Sequence, residues 1–291
     1  MAVIEANGVS FQVWRQAPAG SLADGERVAP VVFVHGLMVD DMATFYFTLG
    51  GTAALRAEAF GYDLRGHGGT DKVDHGYKVA DHVTDLFALL DAAGLSGPVH
   101  LVANSFGGAI VLRAALAHPE RVASLVLVEA HYPTEGWAEE MVATLELAGS
   151  QITVEGVMSQ FNVSSRRKAA RLAATAEQLI WHSTLRADLG GERALTVDEL
   201  ASITCPALCL YGVESDLADR GRRLATLLPD AVLHLFPGAT HMLLIERPAE
   251  LQTLLLAWLS DHPNPPSGAP IGPQGDRSMY QNEVVVGGGA G

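Results

Sequence analysis

The stretch PVHLVANSFGGAIVLRAAL, residues 98–116, changes character at a single residue. Up to Ser105 it is an apolar run broken only by His100 and Asn104, as expected of a strand covered on both faces; beyond it, apolar residues recur at helical spacing. A serine at such a junction lies in a tight, strained turn whose flanking positions crowd one another and must be small. Ala103 and Gly107 meet that demand. The corner lifts the hydroxyl off the carboxyl edge of a sheet and aims the N-terminus of the new helix at it. The amide of Phe106 then becomes a donor for a developing oxyanion.

The same alternation extends in both directions. PVVFVHG (30–36), EAFGYD (58–63), SLVLVEA (124–130), PALCLYG (206–212) and AVLHLFPG (231–238) read as buried strands. YKVADHVTDLFALLDAAG (77–94) and RPAELQTLLLAWL (247–259) carry apolar residues at helical spacing. This is an α/β pattern, predicting a mostly parallel sheet flanked by helices. From about Tyr132 to Thr204 there are helical patterns and no strand, which reads as a helical insertion. The expected organisation is a core of residues 1–131 and 205–260, a helical cap over 132–204, and a flexible Pro/Gly-rich tail over 261–291. A full set of early strands is not evident before residue 30.

Composition narrows the class. At 291 residues, 48% apolar and 18% charged, the chain reads as a globular protein with a substantial core. Its start lacks the basic and apolar regions of a secretory signal, and no apolar run approaches the ~18 residues of a membrane span. A soluble, cytoplasmic protein is the expectation. The formal charge of −14 argues against nucleic-acid or anionic-membrane partners. Cys205 and Cys209, four residues apart on an expected strand, lie roughly 13 Å apart at about 3.3 Å per residue, too far for a disulfide. One basic run, SSRRKAARLAA (164–174), interrupts the acidic surface. Arg166, Arg167 and Lys168 form either a solvated helix face or a docking face for an anionic substrate handle or carrier protein.

With these motifs in view, the chain resembles the α/β-hydrolase superfamily over roughly residues 8–260. VVFVHGL is similar to the family's strand and following HG loop, which implies a second oxyanion donor at the amide of Leu37 or Met38. YDLRGHGGTD (62–71) resembles a family turn and is expected to be structural, with Asp63 and Arg65 paired. PGATHMLLIERP resembles the loop carrying the family's catalytic histidine, which implies His241 as the base that activates Ser105. The resemblance places the cap after the sixth strand of the sheet. No metal or cofactor is expected.

The acid is open between two residues. The family usually has an aspartate three residues after the glycine that ends the strand following the cap; here that position is Ser215, with Asp216 beside it. Glu129 ends a buried apolar strand, where some family members, including a zearalenone lactonase group, keep the acid instead. A carboxylate there needs a partner to offset its desolvation. Glu129 is preferred and Asp216 is the alternative.

The expected reaction is hydrolysis of an ester, lactone or thioester of a largely apolar acyl substrate through an acyl-enzyme. Met38, Met42, Tyr46, His35 and His131 are the candidate substrate-binding residues, with His182 a further candidate on the cap side. NSFGG is also similar to the nucleophile turn of meta-cleavage product hydrolases, which break carbon–carbon bonds; that is the runner-up. A non-catalytic ligand-binding relative is the third reading.

Overall fold

The structure is a computed structural model that describes residues 1–19, 28–160, 164–263 and Tyr280. Among the described residues there are eight strands, β1 (Ala2–Ala6), β2 (Val9–Gln16), β3 (Val31–Val34), β4 (Ala59–Tyr62), β5 (Val99–Asn104), β6 (Val122–Val128), β7 (Ala207–Gly212) and β8 (Ala231–Phe236). They form one sheet in the order β1-β2-β4-β3-β5-β6-β7-β8. Strands β1 and β2 pair antiparallel with each other, β2 runs antiparallel to β4, and every pair from β4 to β8 is parallel. The two N-terminal strands are the elements that the sequence reading did not find.

Alternate residues of the central strands feed two separate cores. Leu101, Ala103, Leu125 and Leu127 pack on one face of the sheet, whereas Val102, Val126 and Val128 pack on the other. The largely apolar character of β5 and β6, broken by His100, Asn104 and Ser124, is the direct result of this two-sided burial. The first face is covered by helices Val79–Ala92 and Gly107–Ala117, the second by the C-terminal helix Pro248–Asp261.

Between β6 and β7 the chain leaves the sheet for the helical insertion, which contains helices Trp137–Gln151, Val154–Gln160, Arg166–Trp181, Leu185–Gly190 and Val197–Ala201. Trp137, Leu145, Leu179 and Leu185 are buried and join the core under the first face, so the cap is packed onto the body. The expected tail falls outside the described residues, apart from its first three residues and Tyr280. Tyr280 is buried against Trp258, its hydroxyl donating to Asp261 Oδ2 at 2.7 Å.

The turn after β4 departs from expectation. Asp63 does not pair with Arg65; its carboxylate accepts the amides of Met42 (2.8 Å) and Gly69 (2.6 Å). Arg65 instead forms a buried, bidentate pair with Asp85 on helix Val79–Ala92, at 2.6 and 2.7 Å. The fork geometry of a guanidinium favours a carboxylate approached in its plane, which the neighbouring turn residue does not offer. Both cysteines are free, as the spacing predicted.

Candidate active site

Ser105 and Glu129 each follow the last residue of a strand, and their strands are in register, with Asn104 opposite Val128. Both residues have left-handed backbones, with φ of +52° and +49°. A non-glycine residue held there costs on the order of 1–3 kcal/mol and persists only where its surroundings fix it. Here they do. The amide of Ser105 donates to the Val128 carbonyl, and its own carbonyl accepts from the amides of Gly108 and His131. The Glu129 amide donates to Leu210 on the next strand. Close packing completes the first corner: a Cβ on Gly107 would meet the Val34 carbonyl oxygen at 2.3 Å, and one on Gly108 would meet Ala130 Cβ at 2.4 Å. Only glycine allows the helix to start this near the sheet.

His241 lies on the loop after β8. Its Nε2 is 3.2 Å from Ser105 Oγ, and its Nδ1 is 3.4 Å from Glu129 Oε2. The second contact is within ion-pair range, although its direction is off the line of a hydrogen bond. Such contacts are often loose before substrate binds. Glu129 is completely buried. Its carboxylate accepts from the Gly212 amide and, at 2.5 Å, from the hydroxyl of Ser215. Thus the position where the family usually carries its aspartate supplies a hydroxyl that holds the glutamate of the neighbouring strand. Asp216 is exposed at the rim, touching Ser215 Oγ at 3.4 Å, and among the described residues it makes no ion pair with His241.

The loop after β3 is fixed on both sides of Leu37. The Gly36 amide donates to Asp40 Oδ2 at 2.7 Å, and the Met38 amide donates to His67 Nε2 at 3.0 Å. His67 is fully buried, which holds its pKa well below the usual histidine value and leaves Nε2 free to accept. The Met38 amide is therefore occupied. Among the described residues, the amides of Leu37 and Phe106 have no acceptor. Sequence reasoning did not find the roles of Asp40 and His67: HGLMVDD offers only two aspartates a few residues past the HG pair, and His67 lies in the separate turn at 62–71.

Ser105, His241, Leu37, Phe106, Met38 and His131 all line one cavity of about 410 Å³. The cap closes it with Met141, Leu145 and Leu172, and Lys168 stands in its wall. Other candidates lie elsewhere. Met42 is buried in the second core, and Tyr46 packs edge-on against Trp14. His35 is fully buried, its Nε2 accepting the Leu64 amide and its Nδ1 donating to the Gly36 carbonyl. His182 is exposed at the end of helix Arg166–Trp181. In the basic run, Arg166 pairs with Glu155 on the surface and Arg171 lies 3.6 Å from Asp41. Among the described residues no cluster of three or more His, Cys, Asp or Glu is arranged to hold a metal.

A profile described as the alpha/beta hydrolase family matches residues 31–252. The chain belongs to this family. Among curated members, this alpha/beta hydrolase is 30% identical over 252 residues to RutD of Variovorax paradoxus (strain S110), named provisionally as a carbamate hydrolase; the match covers 78% of this chain and 94% of the relative. It is 32% identical over 196 residues to the pimeloyl-[acyl-carrier protein] methyl ester esterase of Chromobacterium violaceum, covering 62% and 74% of the two chains. Among solved structures, it is similar to Est816, described as an N-acyl homoserine lactone degrading enzyme. That match has a TM-score of 0.67 and 25% identity, over 88% of this chain and 100% of the other.

Proposed function

We propose that this alpha/beta hydrolase is a serine hydrolase that cleaves an ester, lactone or thioester with a largely apolar acyl part through an acyl-enzyme. The carrying observation is Ser105 Oγ, held on a strained corner 3.2 Å from His241 Nε2, with buried Glu129 behind the imidazole. His241 takes the Ser105 proton as Oγ attacks the carbonyl carbon. The oxygen of the tetrahedral intermediate accepts from the amides of Leu37 and Phe106. His241 then protonates the leaving group, and water, deprotonated by the same histidine, releases the acid. Glu129 orients the imidazole and balances its charge. It is the triad acid in this reading, and Asp216 is a rim residue.

Relatives named as a methyl ester esterase and as an N-acyl homoserine lactone degrading enzyme support the reaction class. The apolar side chains of Met38, Met141, Leu145 and Leu172 around the cavity support an apolar acyl group. The substrate is a small molecule. Docking of a carrier protein through Arg166, Arg167 and Lys168 has only Lys168 at the cavity in its favour. A fluorophosphonate ester tests the nucleophile: mass spectrometry should find one adduct, on Ser105, and turnover should stop in proportion. Folded protein left unmodified at Ser105 refutes the reading.

A further inference from the structure

His131 has no part in the steps above, yet it is tied to them from three sides. Its amide donates to the Ser105 carbonyl at 2.9 Å, which fixes its Cα against the nucleophile. Its ring lies 5.9 Å from that of His241, inclined by 64°, and its side chain lines the same cavity. Its Nδ1 receives the indole N–H of buried Trp137 at 3.4 Å. An indole nitrogen only donates, so Nδ1 is the accepting atom and the proton of the neutral ring sits on Nε2. That proton has no acceptor among the described residues.

From this geometry we infer that His131 recognises the leaving group: its Nε2–H donates a hydrogen bond to the departing oxygen of the substrate, so that the enzyme serves esters and lactones of alkyl alcohols. The inference rests on the serine-hydrolase reading. The oxyanion donors, Leu37 and Phe106, come from the loop after β3 and the start of helix Gly107–Ala117. The leaving group must instead face His241, the side that His131 flanks. When the tetrahedral intermediate collapses, the bond between carbon and leaving oxygen breaks and its electron pair goes to that oxygen. The proton that neutralises it comes from His241 Nε2. His131 gives up no proton; it lowers the energy of the negative charge that builds before transfer is complete.

Burial and the adjacent His241 push the His131 pKa down to about 3. The ring therefore stays neutral beside the imidazolium that His241 becomes, and no second cation opposes it. A phenol or enol leaves readily without such help, whereas a simple alcohol does not.

The test is a series of esters of one acid, from p-nitrophenyl through trifluoroethyl to ethyl, with kcat/KM measured for wild type, His131→Asn and His131→Gln. Asparagine places an acceptor near the Nδ1 position and keeps the bond to Trp137, while its NH2 falls near Cδ2 and leaves the Nε2 position without a donor. Glutamine places an N–H donor near the Nε2 position. The slope of log kcat/KM against leaving-group pKa is the readout, because it is independent of the fraction of folded enzyme. His131→Asn should steepen it, losing about 10- to 100-fold more on the ethyl ester than on the p-nitrophenyl ester. His131→Gln should restore most of the wild-type slope. An unchanged slope in His131→Asn, or a slope in His131→Gln as steep as in His131→Asn, overturns the inference. If wild type cleaves no member of the series, or Ser105→Ala cleaves them equally well, the parent reading fails instead.

Discussion

Two serine–histidine pairs stand at opposite ends of β5 and β6. At the carboxyl end, Ser105 Oγ is 3.2 Å from His241 Nε2. At the amino end, His100 and Ser124 face each other in register, with His100 Nδ1 only 2.7 Å from Ser124 Oγ. The shorter bond belongs to the pair without the means to react. Ser124 and His100 are wholly buried, and Ser124 also accepts the indole N–H of Trp258 at 2.9 Å. No carboxylate among the described residues pairs with His100, and burial pushes its pKa down to about 4. A nucleophile needs access to a cavity, a base able to carry charge, and an anion behind that base. Hydrogen-bond length supplies none of these.

The contrast is broken most directly by removing each serine. Ser105→Ala should lower kcat on p-nitrophenyl esters by on the order of 10⁴-fold or more, while Ser124→Ala stays within a few-fold of wild type. Ser124→Ala should act on stability, by about 1–3 kcal/mol, because it strands the indole and the imidazole without their partner. Calorimetry reads this as a lower Tm. If Ser124→Ala abolished turnover in folded protein, the contrast would be wrong.

The carboxylate side of the comparison is next in size. Glu129→Gln should cost roughly 10²-fold or more in kcat, since the imidazole loses its orienting anion, whereas Asp216→Asn should cost no more than a few-fold. The reverse ranking would move the acid to Asp216.

A smaller, graded effect concerns pH. Burial lowers the pKa of His82 and His131 to about 3 and that of His100 to about 4. The unfolded chain takes up these protons near the ordinary histidine value of about 6.5, before the folded one does. Stability is therefore full above about pH 6.5 and declines as pH falls toward 3, by up to about 1.4 kcal/mol per pH unit for each histidine. Urea midpoints measured from pH 7 to pH 4 should fall steadily. A flat profile would show that these imidazoles are not held neutral in the fold.

Much of this was legible in the sequence, for physical reasons that differ by region. Strands β3 to β7 are buried on both faces and announce themselves as apolar runs, as does the partly buried edge strand β8. Strands β1 and β2 form an edge hairpin in which β1 is mostly exposed and β2 alternates between buried and partly exposed over its first half, so neither carries such a run. Their signal was the Asn7–Gly8 pair, both at positive φ, which is the signature of a tight hairpin turn. At the site, Ser105 was readable from the crowding at its corner, and Glu129 from the cost of a carboxylate ending an apolar strand. Asp85 as the partner of Arg65 was not readable, because that pair is made by a helix folding back over a turn 20 residues earlier. Met42 and Tyr46 misled for a related reason: an apolar, aromatic segment beside a loop can pack on the sheet as readily as face the cavity.

The site has parts of unequal firmness. Ser105 and Glu129 directly follow β5 and β6, adjacent strands locked by a common ladder, and Leu37 sits on the loop after β3, which is pinned at Gly36 and Met38. His241 is carried by the loop after β8, its side chain still 35% exposed. Its neighbour Thr240 is secured through exposed hydrogen bonds to Glu246. Contacts of that kind open at far lower cost than a central sheet does. Warming should therefore silence the enzyme in two stages: the imidazole first drifts from the hydroxyl while circular dichroism still reports an intact sheet, and the scaffold melts only afterwards.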